Sequence, residues 1–176
     1  SPTLGCILIV EQSKEAALAL PKLLTREMLM LGTLGIFFFS GLAWLVSLSG
    51  HANMNGGALG KTAIAIATAK CALPFAEAFF KGVLCNLLVC LAVWLALAGR
   101  TVTDKILAII FPISAFVAAG FEHSVANMYF ISVGLFLADP ASAGALSWGG
   151  FVHSLIPVTL GNLVGGAGLV GLVYWL

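Results

Sequence analysis

Charge is what this sequence has least of. Among 176 residues there are eight Lys or Arg and seven Asp or Glu, 9% of the chain, where a water-soluble domain carries about a quarter. So few charges cannot cover the surface of a soluble protein of this size, and that surface must face something other than water. The basic residues are dispersed and the net charge is +1, which excludes the basic patch of a nucleic-acid binder. The four cysteines (Cys6, Cys71, Cys85, Cys90) form neither a CxxC pair nor a Cys/His metal pattern. Three of them lie in or beside apolar runs, where a thiol behaves as a small hydrophobe. The N-terminus lacks a basic stretch leading into an apolar core, so no signal peptide is read there. It starts with Ser rather than Met, and the expectation is a fragment, a processed product or an incomplete chain.

What is present is apolar: 61% of the residues are hydrophobic. A bilayer core of about 30 Å takes roughly 20 helical residues to cross. Residues 28–48 supply one charge-free run, entered through Lys22, Arg26 and Glu27 and left through a glycine-rich loop at 49–60. Residues 82–99, starting near Pro74 and bracketed by Lys81 and Arg100, supply a second. Residues 154–176 supply a third, with Tyr174 and Trp175 where an interfacial aromatic belt would sit.

The stretch 106–138 needs a different account. As one helix it would rise about 50 Å, too long for a plain span. As two full hairpin spans it would have to turn through Glu122 and His123. The remaining arrangement is a single span broken near 120–124, with non-helical backbone at membrane depth. Such backbone is tolerated where protein buries it or where it lines a wet cavity, and broken helices with ionisable residues at the break are how many transporters build their site. The expected organisation is therefore a remnant of an earlier span and a connector at 1–24, then a transmembrane domain at 25–176. Its spans fall at about 25–48, 74–99, 105–138 (broken near 120–124) and 154–176. Lys14, Lys22 and Arg26 share a side with Arg100 and Lys105, two crossings away, and the positive-inside rule makes that side cytoplasmic. Lys61 and Lys70, read as part of an outside loop, run against the rule.

Glu122-His123-Ser124 is the sharpest chemical signal. An ionisable group at bilayer depth costs about 2.5–3.5 kcal/mol on insertion scales, so it is a functional candidate by default. Histidine can give or take a proton near neutral pH. The plainer reading is that His123 and Glu122 satisfy one another or cap the broken helix. Asn127 follows His123 by four residues, on the same face if the helix resumes after Ser124. It could serve the site or tie helices together, as could Asn86 in the second span. Phe116, two turns before His123, could pinch a pore beside it or simply pack. The small residues of 161–171, including one GxxxG, signal close helix packing and an oligomer contact rather than chemistry. The run 56–62, GGALGKT, lacks the spacing of a phosphate-binding loop and is discarded.

Three segments together carry a family resemblance. Residues 79–94, FFKGVLCNLLVCLAVW, resemble the fourth-span signature of the formate/nitrite transporters. Residues 116–128, FVAAGFEHSVANM, resemble the fifth-span motif of that family, the break bearing its central pore histidine. Residues 156–166, IPVTLGNLVGG, are similar to its sixth-span motif. The resemblance covers 61–176, and residues 25–50 fit the third span by position.

It implies an all-α membrane protein, an aquaporin-like helical bundle with broken helices, of which this chain is an incomplete six-span unit. The family assembles as homo-pentamers in which every subunit has its own pore. It moves small monovalent weak-acid anions or their conjugate acids: formate, nitrite, hydrosulfide and, in relatives, acetate or lactate. By position, His123 would be the pore histidine and Phe116 an apolar constriction. Asn86, Glu122 and Asn127 would form the polar network around it, and Lys70 would belong to an anion-collecting vestibule. The implied location is the bacterial cytoplasmic membrane, with lipid as the other partner and no cofactor or metal. The first span and part of the second are missing from the resemblance, and Thr3 matches poorly the threonine that faces the histidine elsewhere in the family. The alternatives are a non-conducting assembly subunit packed through its glycine-rich last span or a truncated product lacking a complete pore, and a membrane enzyme. The enzyme is disfavoured because no nucleophile–base pair or metal cluster is seen.

Overall fold

The computed structural model describes residues 26–139 and 144–175. The expectations placed on residues 1–24, including the connector and Thr3, lie outside the described residues. The chain divides into two units, 1–38 and 39–176. Of the first, the described part is the start of helix α1, where the Thr33 hydroxyl bonds back to the Leu29 carbonyl at 2.8 Å.

The described residues form helices joined by short turns and extended links, with no strand among them. Helix α1 runs Arg26–Leu48. A 3-10 segment at His51–Gly57 leads into α2, Ala58–Cys71. Then come α3 (Phe75–Ala98), α4 (Val102–Ala118), α5 (Ser124–Leu137) and α6 (Trp148–Leu163). The last of these widens into a π-helical stretch, Val164–Gly171, and ends in a final turn, α7, Leu172–Trp175. Among the described residues, three stretches are long and apolar enough to cross a membrane: Arg26–Leu48, Phe75–Ala98 and Trp148–Tyr174. Helices α4 and α5, at 17 and 14 residues, are partial spans of about 25 and 21 Å. Large side chains stand open on the helices, Phe111 of α4 at 73% and Leu97 of α3 at 69% exposed, a surface made for hydrocarbon rather than water.

Three boundaries differ from the sequence reading. Residues 58–71 form a helix where a loop was expected. The segment ALGKTAIAIATAKC is rich in alanine, the best helix former, but has no apolar stripe and carries a lysine near each end. The broken span starts at Val102 rather than 105, because Thr101 and Asp104 make a capping box: the Asp104 amide donates to Thr101 Oγ1 at 3.2 Å and the Thr101 amide to Asp104 Oδ2 at 2.9 Å. The last span starts at Trp148 rather than 154, capped by Ser147, whose hydroxyl accepts the Gly150 amide at 3.0 Å.

Helix α3 is the post of the unit, packed by α4 on one side and by α6 and the π stretch on another, while α2 lies on α5. The α3–α6 seam is made by glycine: a Cβ on Gly161 would strike the Phe79 carbonyl, and one on Gly165 the Val83 carbonyl. The GxxxG of the last span therefore packs within the chain, against α3, and not on an oligomer contact.

Candidate functional site: the break between α4 and α5

The break is built from backbone. Ala119 closes α4, its amide bonding to the Ala115 carbonyl. Gly120 turns the chain at φ 65°, His123 lies extended at φ −116°, ψ 122°, and α5 starts at Ser124. A positive φ is the conformation glycine adopts without a Cβ penalty. The Phe121 amide reaches back to the Phe116 carbonyl at 3.0 Å.

At membrane depth the remaining polar groups need partners within the protein, and Asn162 of α6 supplies them. Its Oδ1 accepts the Ser124 amide at 2.9 Å, and its Nδ2 donates to the Glu122 carbonyl at 3.0 Å and to the Gly82 carbonyl at 2.9 Å. One buried side chain thus joins both sides of the break and α3. Asn86 supports it, donating from Nδ2 to the Asn162 main-chain carbonyl at 2.6 Å.

Beside the break sits an ion pair. Lys70, at the end of α2, donates to Glu122 Oε2 at 2.8 Å and Oε1 at 3.0 Å. The side chains are 16% and 6% exposed. Asn127 Nδ2 adds a bond to Glu122 Oε2 at 2.8 Å and one to Ser154 Oγ at 3.3 Å. Asn127 Oδ1 is the buried side-chain atom left without a partner among the described residues.

His123 takes no part in that cluster. Its imidazole does not cap α5 and hydrogen-bonds no described residue. The ring lies with Phe116, centroids 6.3 Å apart and planes tilted 34°, on the wall of an apolar cavity of about 410 Å³. Phe39, Leu42, Val89, Ile113, Val125, Ala126 and Tyr129 complete the lining.

The six residues singled out from the sequence thus fall into three places. His123 and Phe116 meet on the cavity wall, across the break rather than along one helix face. Lys70, Glu122 and Asn127 meet behind it. Asn86 stands apart on the α3–α6 seam. The mutual satisfaction of His123 and Glu122 does not occur, since the carboxylate is committed to Lys70 and Asn127. Lys70 sits in a helix, paired, and this neutralised charge accounts for its exception to the positive-inside count. Nothing in the structure explains Lys61. Asn162 and Ser154 were missed. The signal was there for Asn162, an amide inside a charge-free span that must find partners, but the glycines around it drew the reading toward packing alone. Among the described residues no group of His, Cys, Asp and Glu could hold a metal ion.

The apolar spans and the helix broken beside a buried ion pair define an integral membrane protein of the broken-helix bundle class. The formate/nitrite transporter profile matches residues 16–176, and the chain belongs to that family. It is 57% identical over 104 residues to a probable formate transporter of Methanothermobacter thermautotrophicus, covering 58% of this chain and 36% of the relative. It is 41% identical over 155 residues to the formate channel FocA of Escherichia coli K12, covering 80% and 53%. A solved pentameric formate channel with formate bound superposes with a TM-score of 0.70 at 38% identity, over 77% of this chain and 59% of that one. The chain spans about half the length of most of the curated relatives it matches.

Proposed function

We propose that this chain forms the histidine-bearing part of a transmembrane pore for small monovalent weak-acid anions, formate first, with nitrite and hydrosulfide as further substrates. The observation that carries the reading is the His123 imidazole, free of hydrogen bonds among the described residues, beside Phe116 on the wall of an apolar cavity. A bare anion in such a cavity loses its hydration with little in return, while the neutral acid costs far less to desolvate. An imidazole there either donates to the anion as it passes or hands it a proton.

Asn127 serves this site at second hand, because both of its donor hydrogens are committed to Glu122 and Ser154. Lys70 and Glu122 act as a fixed pair that anchors α2 to the break, and Asn86 supports the break through Asn162. Assembly as a homo-pentamer in the bacterial cytoplasmic membrane belongs to the same reading, and the likeness to a pentameric formate channel supports the pentamer. Gly161, Gly165 and Gly166 of the last span meet α3 of the same chain, so these three glycines supply no surface for the alternative reading as an assembly subunit.

The test is uptake. Proteoliposomes holding the protein at its full natural length and a pH dye are given an inward formate gradient. Formate uptake well above that of empty vesicles is expected, with a pH change of the lumen if a proton moves with the anion. Uptake equal to that of empty vesicles, for formate, nitrite and hydrosulfide alike, would overturn the proposal.

A further inference from the structure

The cavity beside His123 has a neighbour. A second cavity, of about 210 Å³, is lined among others by Val46 of α1, His51 of the 3-10 segment, Thr62 and Ile66 of α2, and Tyr129 and Leu137 of α5. Tyr129 lines both cavities. Along α1 the lining residues advance from Phe39 and Leu42 in the first to Val46 in the second, and along α5 from Val125 and Ala126 to Val133 and Leu137. The same order on both helices makes the two cavities consecutive chambers of one groove, which runs from His123 toward the loop at His51.

We propose that Tyr129 is the divider of this groove, and that its ring and hydroxyl set the size of the weak acid that passes between the chambers. The inference rests on the transport reading above and adds to it a residue that selects by size. The ring is braced edge-on by Phe130, centroids 5.5 Å apart at 71°. Three residues on, the Ser132 and Ser40 hydroxyls lie 2.9 Å apart and tie α5 to α1, so the walls at the divider are held together. The Tyr129 hydroxyl hydrogen-bonds no described residue. In a groove this apolar, a free phenol is a donor that a carboxylate or a carboxylic acid can use without displacing a protein partner.

The test compares formate with the larger lactate in proteoliposomes of the full-length protein. Tyr129→Ala removes the divider and is expected to raise the lactate-to-formate uptake ratio about tenfold, one decade being the effect of about 1.4 kcal/mol. Tyr129→Phe keeps the ring and is expected to slow formate about 2- to 10-fold, the effect of one neutral hydrogen bond, with the ratio unchanged. Phe111→Ala, on the open flank of α4 and outside both cavities, controls for a general loosening of the helices. Tyr129→Leu gives a second reading of size should the alanine variant fail to assemble. A ratio within twofold of wild type in the variants that lack the ring overturns the divider while leaving the transport reading intact. Wild-type vesicles that carry neither acid sink both.

Discussion

Replacing Lys70 with methionine, with Glu122 left in place, is expected to destabilise the unit by about 3–5 kcal/mol, the usual result of breaking a buried pair from one side. Lys70 keeps 16% of its side chain exposed, which places the effect toward the lower end. The loss comes less from the missing attraction than from what stays behind: a carboxylate, 6% exposed, with only the Asn127 amide to face it. Glu122→Gln alone leaves the ammonium stranded in the same way. The double variant Lys70→Met/Glu122→Gln removes both charges and is expected to recover most of the stability, since replacing a whole buried pair is often close to neutral. Thermal melts of the detergent-solubilised protein decide the matter. If the double variant melts no higher than the worse of the single ones, the pair is not what joins α2 to the break.

Asn162→Leu is expected to be nearly as damaging, by another route. The amide holds the Ser124 amide and the Glu122 and Gly82 carbonyls, and leucine can serve none of them. Side-chain hydrogen bonds inside membranes average about 0.6 kcal/mol and reach about 1.7, so three together contribute on the order of 2–5 kcal/mol. Asn86→Leu removes a single bond, to the Asn162 carbonyl, and is expected to cost about a third as much. A distinguishing readout is hydrogen exchange at Ser124. In Asn162→Leu that amide should exchange many times faster, while in Asn86→Leu it should stay protected. Equal melting losses, with the Ser124 amide protected in both, would remove Asn162 from its position as the clasp of the break.

What was legible in the sequence was whatever the bilayer dictates. Span lengths follow from hydrocarbon thickness, and the break near 120–124 follows from a run too long for one crossing and interrupted by Glu122 and His123. In the structure α4 and α5 are separated at residues 119–123. Helix α2 was not legible: its alanines favour helix without marking a face, and Lys61 and Lys70 mimic the charges of a loop. The company each polar residue keeps was hidden as well. Spacing puts Asn127 one turn from His123, yet the extended backbone at His123 ends the helical register that such counting assumes. Glu122 and His123, adjacent in the chain, therefore serve opposite sides, one facing Lys70 and the other the cavity. The partner of Glu122 is 52 residues away on a helix that was read as a loop, and Asn162 reaches the break from 38 residues away. Long-range contacts of this kind leave no periodic trace.

The role of the free imidazole is tested most directly by His123→Ala in vesicles that record formate uptake and lumenal pH together. A hydrogen bond to a charged group is worth about 1.5–3 kcal/mol, so losing the imidazole should slow uptake about 10- to 150-fold and diminish any accompanying pH change in proportion. Uptake and pH change equal to wild type, from an equal amount of assembled protein, would contradict a passage for small acids beside His123.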